Sequence, residues 1–204
     1  MAWQNNTAEL RGLTGGEARL SHISKGVSYY CFEVLTKRLS GAVDRINVTV
    51  PEHLLESVPA AGERVYVFGE LRSYNNRSGS GSKLRLYVHG QQLESCGEEE
   101  EDLNRVLLTG ALCRPPTWRR TPMGREICDL MLAVNRRYGR ADYIPCIAWG
   151  RNAELAGEWE TGRRVSLSGR FQSRKYIKSE NGTGVEKTAY EVSVSDFPEP
   201  DGAP

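Results

Sequence analysis

Apolar and polar residues alternate along most of the chain, and the alternation is clearest between residues 104 and 197. Side chains of a strand point alternately to its two faces, so each alternating run predicts a strand with one apolar side. The predicted order is three strands, a short helix and two further strands. The strands cover 104–112, 127–135, 143–149, 164–176 and 190–194, and the helix covers 152–159.

Local signals add detail to these elements. Pro145 interrupts the third strand and predicts an edge position or a bulge there. Asn152 is expected to cap the helix, and Asn181-Gly182 to form a hairpin turn. Two strands have a well-defined apolar face, formed by Cys128, Leu130, Leu132 and Val134 in one and by Val165, Leu167, Gly169 and Phe171 in the other.

Five strands with a helix between the third and the fourth is the layout of the OB-fold, a small Greek-key barrel. Alternation alone also fits a small sandwich, but the position of the helix and the long fourth strand favour the barrel. The first half of the chain shows the same order less distinctly. Its strands are predicted over 17–22, 28–35, 45–50, 64–74 and 83–89, with a short helical segment over 53–57.

The chain also repeats itself at a spacing of about a hundred residues. The segment 62–73 corresponds to 162–173, and a tyrosine follows each copy. Such a spacing indicates a duplicated domain, since solenoid repeats have periods of about 20–50 residues. We therefore predict an all-β protein with short helices, built as two tandem five-stranded OB-fold barrels. The predicted divisions are a divergent barrel over 1–94, an acidic linker over 95–103, a second barrel over 104–197 and a short tail over 198–204.

Length and composition agree with this division and exclude several classes of protein. Each half, of roughly 90 residues, is large enough to bury its own core. No run is apolar for long enough to span a bilayer, and the start lacks the pattern of a signal peptide. The five scattered cysteines suggest buried or half-buried thiols in a reducing cytoplasm.

Catalysis and metal binding are not expected. The sequence contains no G-x-S-x-G or H-E-x-x-H motif, and residues 105–204 contain no histidine. The three histidines of the first half do not have the spacing of metal ligands. We expect no enzyme activity, no cofactor and no metal site.

Charge is distributed unevenly between the halves, although the net charge is only +1. Residues 105–204 carry 16 Lys/Arg against 12 Asp/Glu, and residues 1–104 carry 11 against 14. Five consecutive acids, residues 98–102, lie where the two copies meet. Neighbouring like charges repel one another, so this run is interpreted as a solvated linker.

Aromatic and basic residues lie together on the outward faces of the predicted second barrel. An isolated ring in a strand is usually core, and an isolated arginine is usually solvated, but here the cations recur beside aromatics at three separate loops or strands. Rings offer surfaces on which unpaired bases stack, and cations beside them suit phosphates. The candidates are Trp118, Arg119, Arg120, Arg136, Arg137, Tyr138, Tyr143, Trp149, Arg170, Arg174, Lys175 and Tyr176, with Arg72 and Tyr74 in the first half.

Five segments in order resemble the bacterial single-stranded DNA-binding protein family. They are Asn104–Gly110, Arg119–Gly124, Leu132–Tyr138, Tyr143–Gly150 and Gly169–Tyr176. The resemblance implies an OB-fold that binds single-stranded DNA without sequence preference in replication, repair and recombination. It also implies that Tyr138, Tyr143, Trp149 and Tyr176 are the stacking rings. The short ending at 197–204 lacks the acidic tip with a terminal Phe that many family members carry.

The first copy departs further from the family. Arg45 replaces Tyr143 and Pro51 replaces Trp149, whereas Tyr74 keeps the place of Tyr176. An alternative function is therefore a tandem OB-fold module for protein interactions, of the replication-restart accessory type, whose first domain binds DNA weakly or not at all. The expected partners are single-stranded DNA, a second copy of the chain giving four barrels, and replication or repair proteins. The expected location is the cytoplasm, at the nucleoid, with no membrane association.

Overall fold

Extended strands make up most of the chain in a computed structural model, which confirms the predicted all-β class. The structure describes residues 5–55, 59–76, 84–137, 139–180 and 183–198. The predicted turn at Asn181-Gly182 lies outside them. No helix in the described part of the chain is long and apolar enough to cross a membrane.

The chain divides into two compact units whose boundaries do not follow the sequence simply. One, the C-unit, consists of Arg105–Phe171 together with Met1–Thr7 and Glu191–Pro204. The other, the N-unit, consists of Ala8–Asn104 together with Gln172–Tyr190. The last two strands form a hairpin, and its middle part, Gln172–Tyr190, belongs to the N-unit. The residues just before and just after that part belong to the C-unit.

The strands that build the C-unit agree with the predicted order, with one short strand added after the first. Each predicted strand is present, extended by a few residues at one or both ends. Their bounds are β7 Leu103–Leu112, β8 Thr117–Arg120, β9 Glu126–Asn135, β10 Ala141–Trp149, β11 Arg164–Glu180 and β12 Thr183–Asp196.

Antiparallel pairing and one parallel contact close these strands into a barrel. The order is β7-β9-β10-β12-β11 and back to β7, with β10 parallel to β12. The two predicted apolar faces are confirmed, because all eight of their residues are buried. Gly110 of β7 lies so close to β9 that a Cβ there would collide with the carbonyl oxygen of Ala133.

Two local predictions about the C-unit are wrong. The helix α1 spans Arg151–Gly157 and its N-cap is Gly150, which makes no side-chain capping bond. Asn152 instead donates from Nδ2 to the carbonyl oxygen of Ser195, 3.1 Å away. Pro145 is at neither an edge nor a bulge, because β10 lies between β9 and β12 and its register with β9 has no shift there. Pairing with β12 begins only at Cys146, which makes the missing N–H tolerable.

The N-unit repeats this architecture with its first strand earlier than predicted. Its strands are β1 Asn6–Thr14, β2 Arg19–Ser24, β3 Val27–Lys37, β4 Val43–Pro51, β5 Arg64–Asn75 and β6 Leu84–Ser95. The prediction of the first barrel strand over 17–22 is wrong, because that segment is the exposed β2. The true first strand buries Ala8, Leu10, Gly12 and Thr14, a set with too little bulk to show as an apolar alternation.

Closure of the N-unit follows the same rule as closure of the C-unit. The order is β1-β3-β4-β6-β5 and back to β1, with β4 parallel to β6. Where a helical segment is predicted over 53–57, between β4 and β5, the described residues form a 3₁₀ turn, Glu52–Leu54, and residues 56–58 lie outside the described part. Two units with this closure confirm the prediction of tandem OB-fold barrels.

The acidic segment between β6 and β7 is more than a solvated linker. Glu100 forms an ion pair with Arg11 of β1 at 3.0 Å. Asp102 pairs with Arg64 of β5 at 2.6 Å and accepts the backbone N–H of Lys37. Mutual repulsion of the five acids is offset where cations of the N-unit face them, so the end of the run is fixed on the barrel.

Candidate nucleic-acid interface

One face of the C-unit sheet presents aromatic rings outside the core. On β10 the alternation buries Ile144, Cys146 and Ala148; of the other parity, Ile147 is also buried, whereas positions towards the two ends of the strand are exposed. Tyr143 and Trp149 are these positions, with 49% and 37% of their surface exposed. They are about 20 Å apart along the strand at 3.3 Å per residue. Two bases of an extended strand could stack on rings at such a spacing with further nucleotides between them.

A hydrogen bond fixes the more buried of the two rings. Trp149 donates from Nε1 to Oγ of Ser193 on β12, 3.2 Å away. The bond holds the polar edge of the indole against the barrel while part of the ring stays in contact with solvent. Sequence reasoning did not find Ser193, because the contact spans 44 residues and no local motif marks it.

Arg119 lies on the same face as the rings. It is opposite Ile127 of β9, which is in turn opposite Trp149, so Arg119 and Trp149 lie in the same row on strands that are two apart. Two strand spacings correspond to about 10 Å. Arg119 Nε donates to Asp129 Oδ2 at 2.6 Å, and this bond raises the pKa of Arg119. Asp129, which sequence reasoning also missed, therefore orients the cation.

Trp118 and Arg120 lie on the opposite face of β8, because alternation separates them from Arg119. A Cβ added at Gly157 of α1 would lie 3.3 Å from the Cβ of Trp118, so the tryptophan borders the helix. Arg120 places its guanidinium carbon 5.7 Å from the centre of that ring and pairs with Glu126 at 2.8 Å. Trp118, Arg119 and Arg120, which are consecutive in sequence, therefore lie on two different faces of β8.

The turn between β9 and β10 contains an arginine whose side chain stabilises the fold. Arg136 donates from Nε to Asp142 Oδ2 at 2.6 Å and forms a second bond to Oδ1 of the same carboxylate. Asp142 is completely buried, so the pair fixes the turn. Arg137 next to it is exposed. Tyr138 lies outside the described residues.

The candidates on β11 fall into both units. Arg170 is half-buried in the C-unit, whereas Arg174, Lys175 and Tyr176 belong to the stretch that is grouped with the N-unit. The guanidinium carbon of Arg174 is 5.6 Å from the centre of the Tyr176 ring. Lys175 pairs with Glu186 across the hairpin at 2.9 Å, both side chains being well exposed. A surface ion pair of this kind contributes little to stability.

On the N-unit the corresponding face has a different composition. Arg45 pairs with Glu33 at 2.8 Å, and the neighbouring Asn47 is hydrogen-bonded by Tyr190. Burial raises the pKa of Tyr190, which agrees with a ring that covers this part of the sheet. Tyr190 therefore occupies part of this face, beside Asn47.

The two first-half candidates lie further along this sheet. Arg72 forms an ion pair with Glu70. Tyr74 is 54% exposed and meets Tyr87 edge-on, with ring centres 6.0 Å apart. Tyr74 therefore keeps an accessible ring, whereas Arg72 is held by its neighbour.

Two cysteines of the C-unit, Cys128 and Cys146, are buried and offer no reactive thiolate. Burial raises the pKa of Cys128 to about 11, and complete burial raises that of Cys146 further. In the described part of the chain no group of His, Cys, Asp or Glu side chains has an arrangement that could hold a metal ion. The chemistry available on this face is stacking and ion pairing.

Comparison with known proteins gives the same picture from independent information. Residues 103–198 match the model of the single-strand binding protein family. A single-stranded DNA-binding protein of Halalkalibacterium halodurans is 37% identical over 108 residues, 50% of this chain and 64% of the relative. Single-stranded DNA-binding protein A of Bacillus subtilis is 36% identical over 105 residues, 48% of this chain and 60% of the relative. The chain thus spans about three fifths of these curated relatives.

Solved structures extend the likeness to both units. The wild-type single-stranded DNA binding protein from Thermus aquaticus superposes with a TM-score of 0.77, covering 98% of this chain and 94% of that one. A deletion variant of the same protein gives 0.78, with coverage of 100% and 98%. At 21% identity the likeness concerns the fold, and it covers the divergent half as well as the matching half.

Proposed function

We propose that the C-unit, most of which falls within the 103–198 match to the single-strand binding protein family, binds single-stranded DNA without sequence preference. The observation that carries the proposal is the outward face with Tyr143, Trp149 and Arg119. It supplies two exposed rings and a cation in register with Trp149, two strands away. Stacked bases contribute about 1–3 kcal/mol each, whichever base is present, because every base has a π-face.

The charge of the chain favours single strands over duplexes. A protein with 27 Lys/Arg against 26 Asp/Glu has little net positive charge with which to attract a duplex, whose binding depends on the release of many counterions. Stacking requires bases that are already unpaired, which a duplex does not offer. The proposed role is protection of exposed single strands during replication, repair or recombination, at the nucleoid and without catalysis.

Intrinsic fluorescence tests the proposal, because Trp118 and Trp149, two of the four tryptophans in the sequence, lie on opposite faces of the sheet. Titration of the full chain with oligothymidylate should quench Trp149. Trp149→Ala should weaken binding by about 1–3 kcal/mol, and the matched control Trp118→Ala should weaken it much less. Equal losses in the two variants, or none in either, would contradict the placement of the DNA on this face.

We also propose that two chains associate, so that four barrels act together. The support is that the N-unit keeps a complete barrel although its face lacks the rings of the C-unit. This is expected of a unit that is kept for assembly as well as for binding. A two-fold dimer is the commonest closed oligomer. Light scattering should give the mass of a dimer at micromolar concentration, and a monomer at every concentration would refute the association.

A further inference from the structure

The N-unit lacks counterparts of Tyr143 and Trp149, but it has other rings close to one of those positions. Pro51 stands in the register of Trp149, and its neighbour across β3 is Tyr29, in the register where the C-unit has the buried Ile127. In this row the C-unit ring is on β10, whereas the N-unit ring is on β3, the neighbour of the corresponding strand β4. The two positions differ by one strand spacing, about 4.8 Å. An imidazole lies on each side of this tyrosine, His22 on β2 and His89 on β6.

The three rings form one continuous group. His22 and Tyr29 are stacked face to face, with centres 4.8 Å apart and planes 3° from parallel. Tyr29 and His89 have centres 6.0 Å apart and planes inclined by 37°. His22 is exposed, and Tyr29 and His89 are half-buried. Stacked planar groups with one accessible end can extend the stack to a further planar ring.

A β-bulge aims His22 at this place. Leu20 pairs with Tyr30 and His22 pairs with Tyr29, so Ser21 is the extra residue and His22 is brought opposite the tyrosine. The hairpin closes tightly through Lys25 and Gly26, both with positive φ. Bulges often re-aim a side chain at a functional site, and without this one Ser21 would face Tyr29.

The charges around the rings suit a phosphate backbone. Arg19 pairs in register with Cys31, which has the same parity as Tyr29, so the arginine lies on the same face as the rings. Lys25 is exposed at the tip of the hairpin. The acid opposite His89 is Glu70, and it is ion-paired with Arg72. Two cations therefore accompany the rings, and the carboxylate in register with His89 is ion-paired.

We propose that His22, Tyr29 and His89 form a second stacking site, on the N-unit, for unpaired bases of single-stranded DNA. The site rests on the proposed function and extends it to the unit that lacks the aromatic positions of the C-unit. It lies away from the part of the sheet that Tyr190 occupies. We name it the imidazole–tyrosine site.

The small number of histidines makes the site directly observable. The chain has only three, His22, His53 and His89, and His53 lies exposed on the 3₁₀ turn. Full-length protein labelled with ¹³C-histidine should therefore give three imidazole signals, assigned from His22→Gln, His53→Gln and His89→Gln. Oligothymidylate of roughly 30 nucleotides, long enough for two OB-folds, should shift the signals of His22 and His89 and leave that of His53 unchanged.

Tryptophan fluorescence in the same sample separates the two proposals. Quenching of Trp149 with no shift at His22 or His89 would refute the imidazole–tyrosine site and leave the function of the C-unit intact. Absence of both quenching and shifts would refute both proposals.

Affinity gives a second measure. The double variant His22→Ala/His89→Ala should bind the 30-nucleotide strand about fivefold more weakly, the lower limit for the loss of one stacked base. The matched control His53→Ala should bind as the unaltered protein does. Circular dichroism verifies that the variants fold, and His22→Gln serves as a milder replacement on the exposed hairpin. An affinity unchanged in both the double variant and His22→Gln would overturn the proposal.

Discussion

The N-unit and the C-unit share a skeleton and differ in their surfaces. Both close five main strands in the same order, with one parallel contact. Both contain an arginine paired with a fully buried aspartate six residues later, Arg38–Asp44 and Arg136–Asp142. Burial and closure leave few alternatives at such positions, so they persist while exposed positions change.

The surface differences are local and can be compared position by position. Tyr143 corresponds to Arg45, Trp149 to Pro51 and Arg119 to His22. Each replacement changes what the position offers a ligand: a ring becomes a cation, a ring becomes a proline, or a cation becomes an imidazole. The order and closure of the five main strands are kept. The comparison teaches that exposed positions of a barrel can change while its strand order stays the same.

The shared skeleton can be tested at its buried ion pairs, where we expect the largest effect. Arg136→Gln leaves the carboxylate of Asp142 buried without its guanidinium, and removal of one partner from a buried pair typically costs about 3–5 kcal/mol. We expect the free energy of unfolding, measured by urea denaturation, to fall by about 3 kcal/mol. Arg38→Gln should cost a similar amount in the N-unit. Unchanged stability with weakened DNA binding would instead assign Arg136 to the phosphate backbone.

The difference in surfaces can be tested at one pair of corresponding positions. Tyr143→Ala removes an exposed ring and should weaken binding of oligothymidylate by about 1–3 kcal/mol. Arg45→Ala, its counterpart, removes a side chain that is paired with Glu33 and should change affinity by less than half as much. Fluorescence titration of the two variants measures both effects. A larger loss at Arg45 would transfer the main contact to the N-unit.

Salt dependence tests the role of Arg119. Each phosphate contact contributes about 0.7 to the slope of log affinity against log salt for a single strand. Arg119→Gln should lower the slope by about that amount. Asp129→Asn, which releases the guanidinium from its carboxylate partner, should not lower it. Titrations at several salt concentrations give the slopes, and an identical slope in Arg119→Gln would exclude a phosphate contact there.

The smallest effect concerns the thiols and does not involve DNA. Cys113 is exposed, whereas Cys128 and Cys146 are buried and have raised pKa values. A thiol whose pKa is about 11 is almost entirely protonated at pH 8, and the thiolate is the reactive form. A colorimetric thiol reagent should therefore modify Cys113 first, and Cys128 and Cys146 only after unfolding. Rapid reaction of all three in the folded protein would show that the core of the C-unit opens readily.

Much of the C-unit was predictable from its sequence, and less of the N-unit was. Strands such as β9 bury large side chains at every second position, so the alternation is visible without a structure. The first strand of the N-unit buries Gly12 and Thr14, whose small size hides the pattern. The cap at Asn152 was predicted from residue preference, but the side chain found a carbonyl on a distant strand instead.

The sequence by itself determined the class of fold, the duplication and the family, because these depend on periodicity and on ordered motifs that local residues carry. Only the tertiary structure decided which residues share a face. Alternation along β8 placed Arg119 on the same face as Trp149 and directed Trp118 towards the helix. A bulge in β2 brought His22 opposite Tyr29. The tertiary structure also assigned residues 172–190 to the N-unit. These results depend on register and chain crossing, which are set by contacts between residues far apart in sequence and leave no local signal.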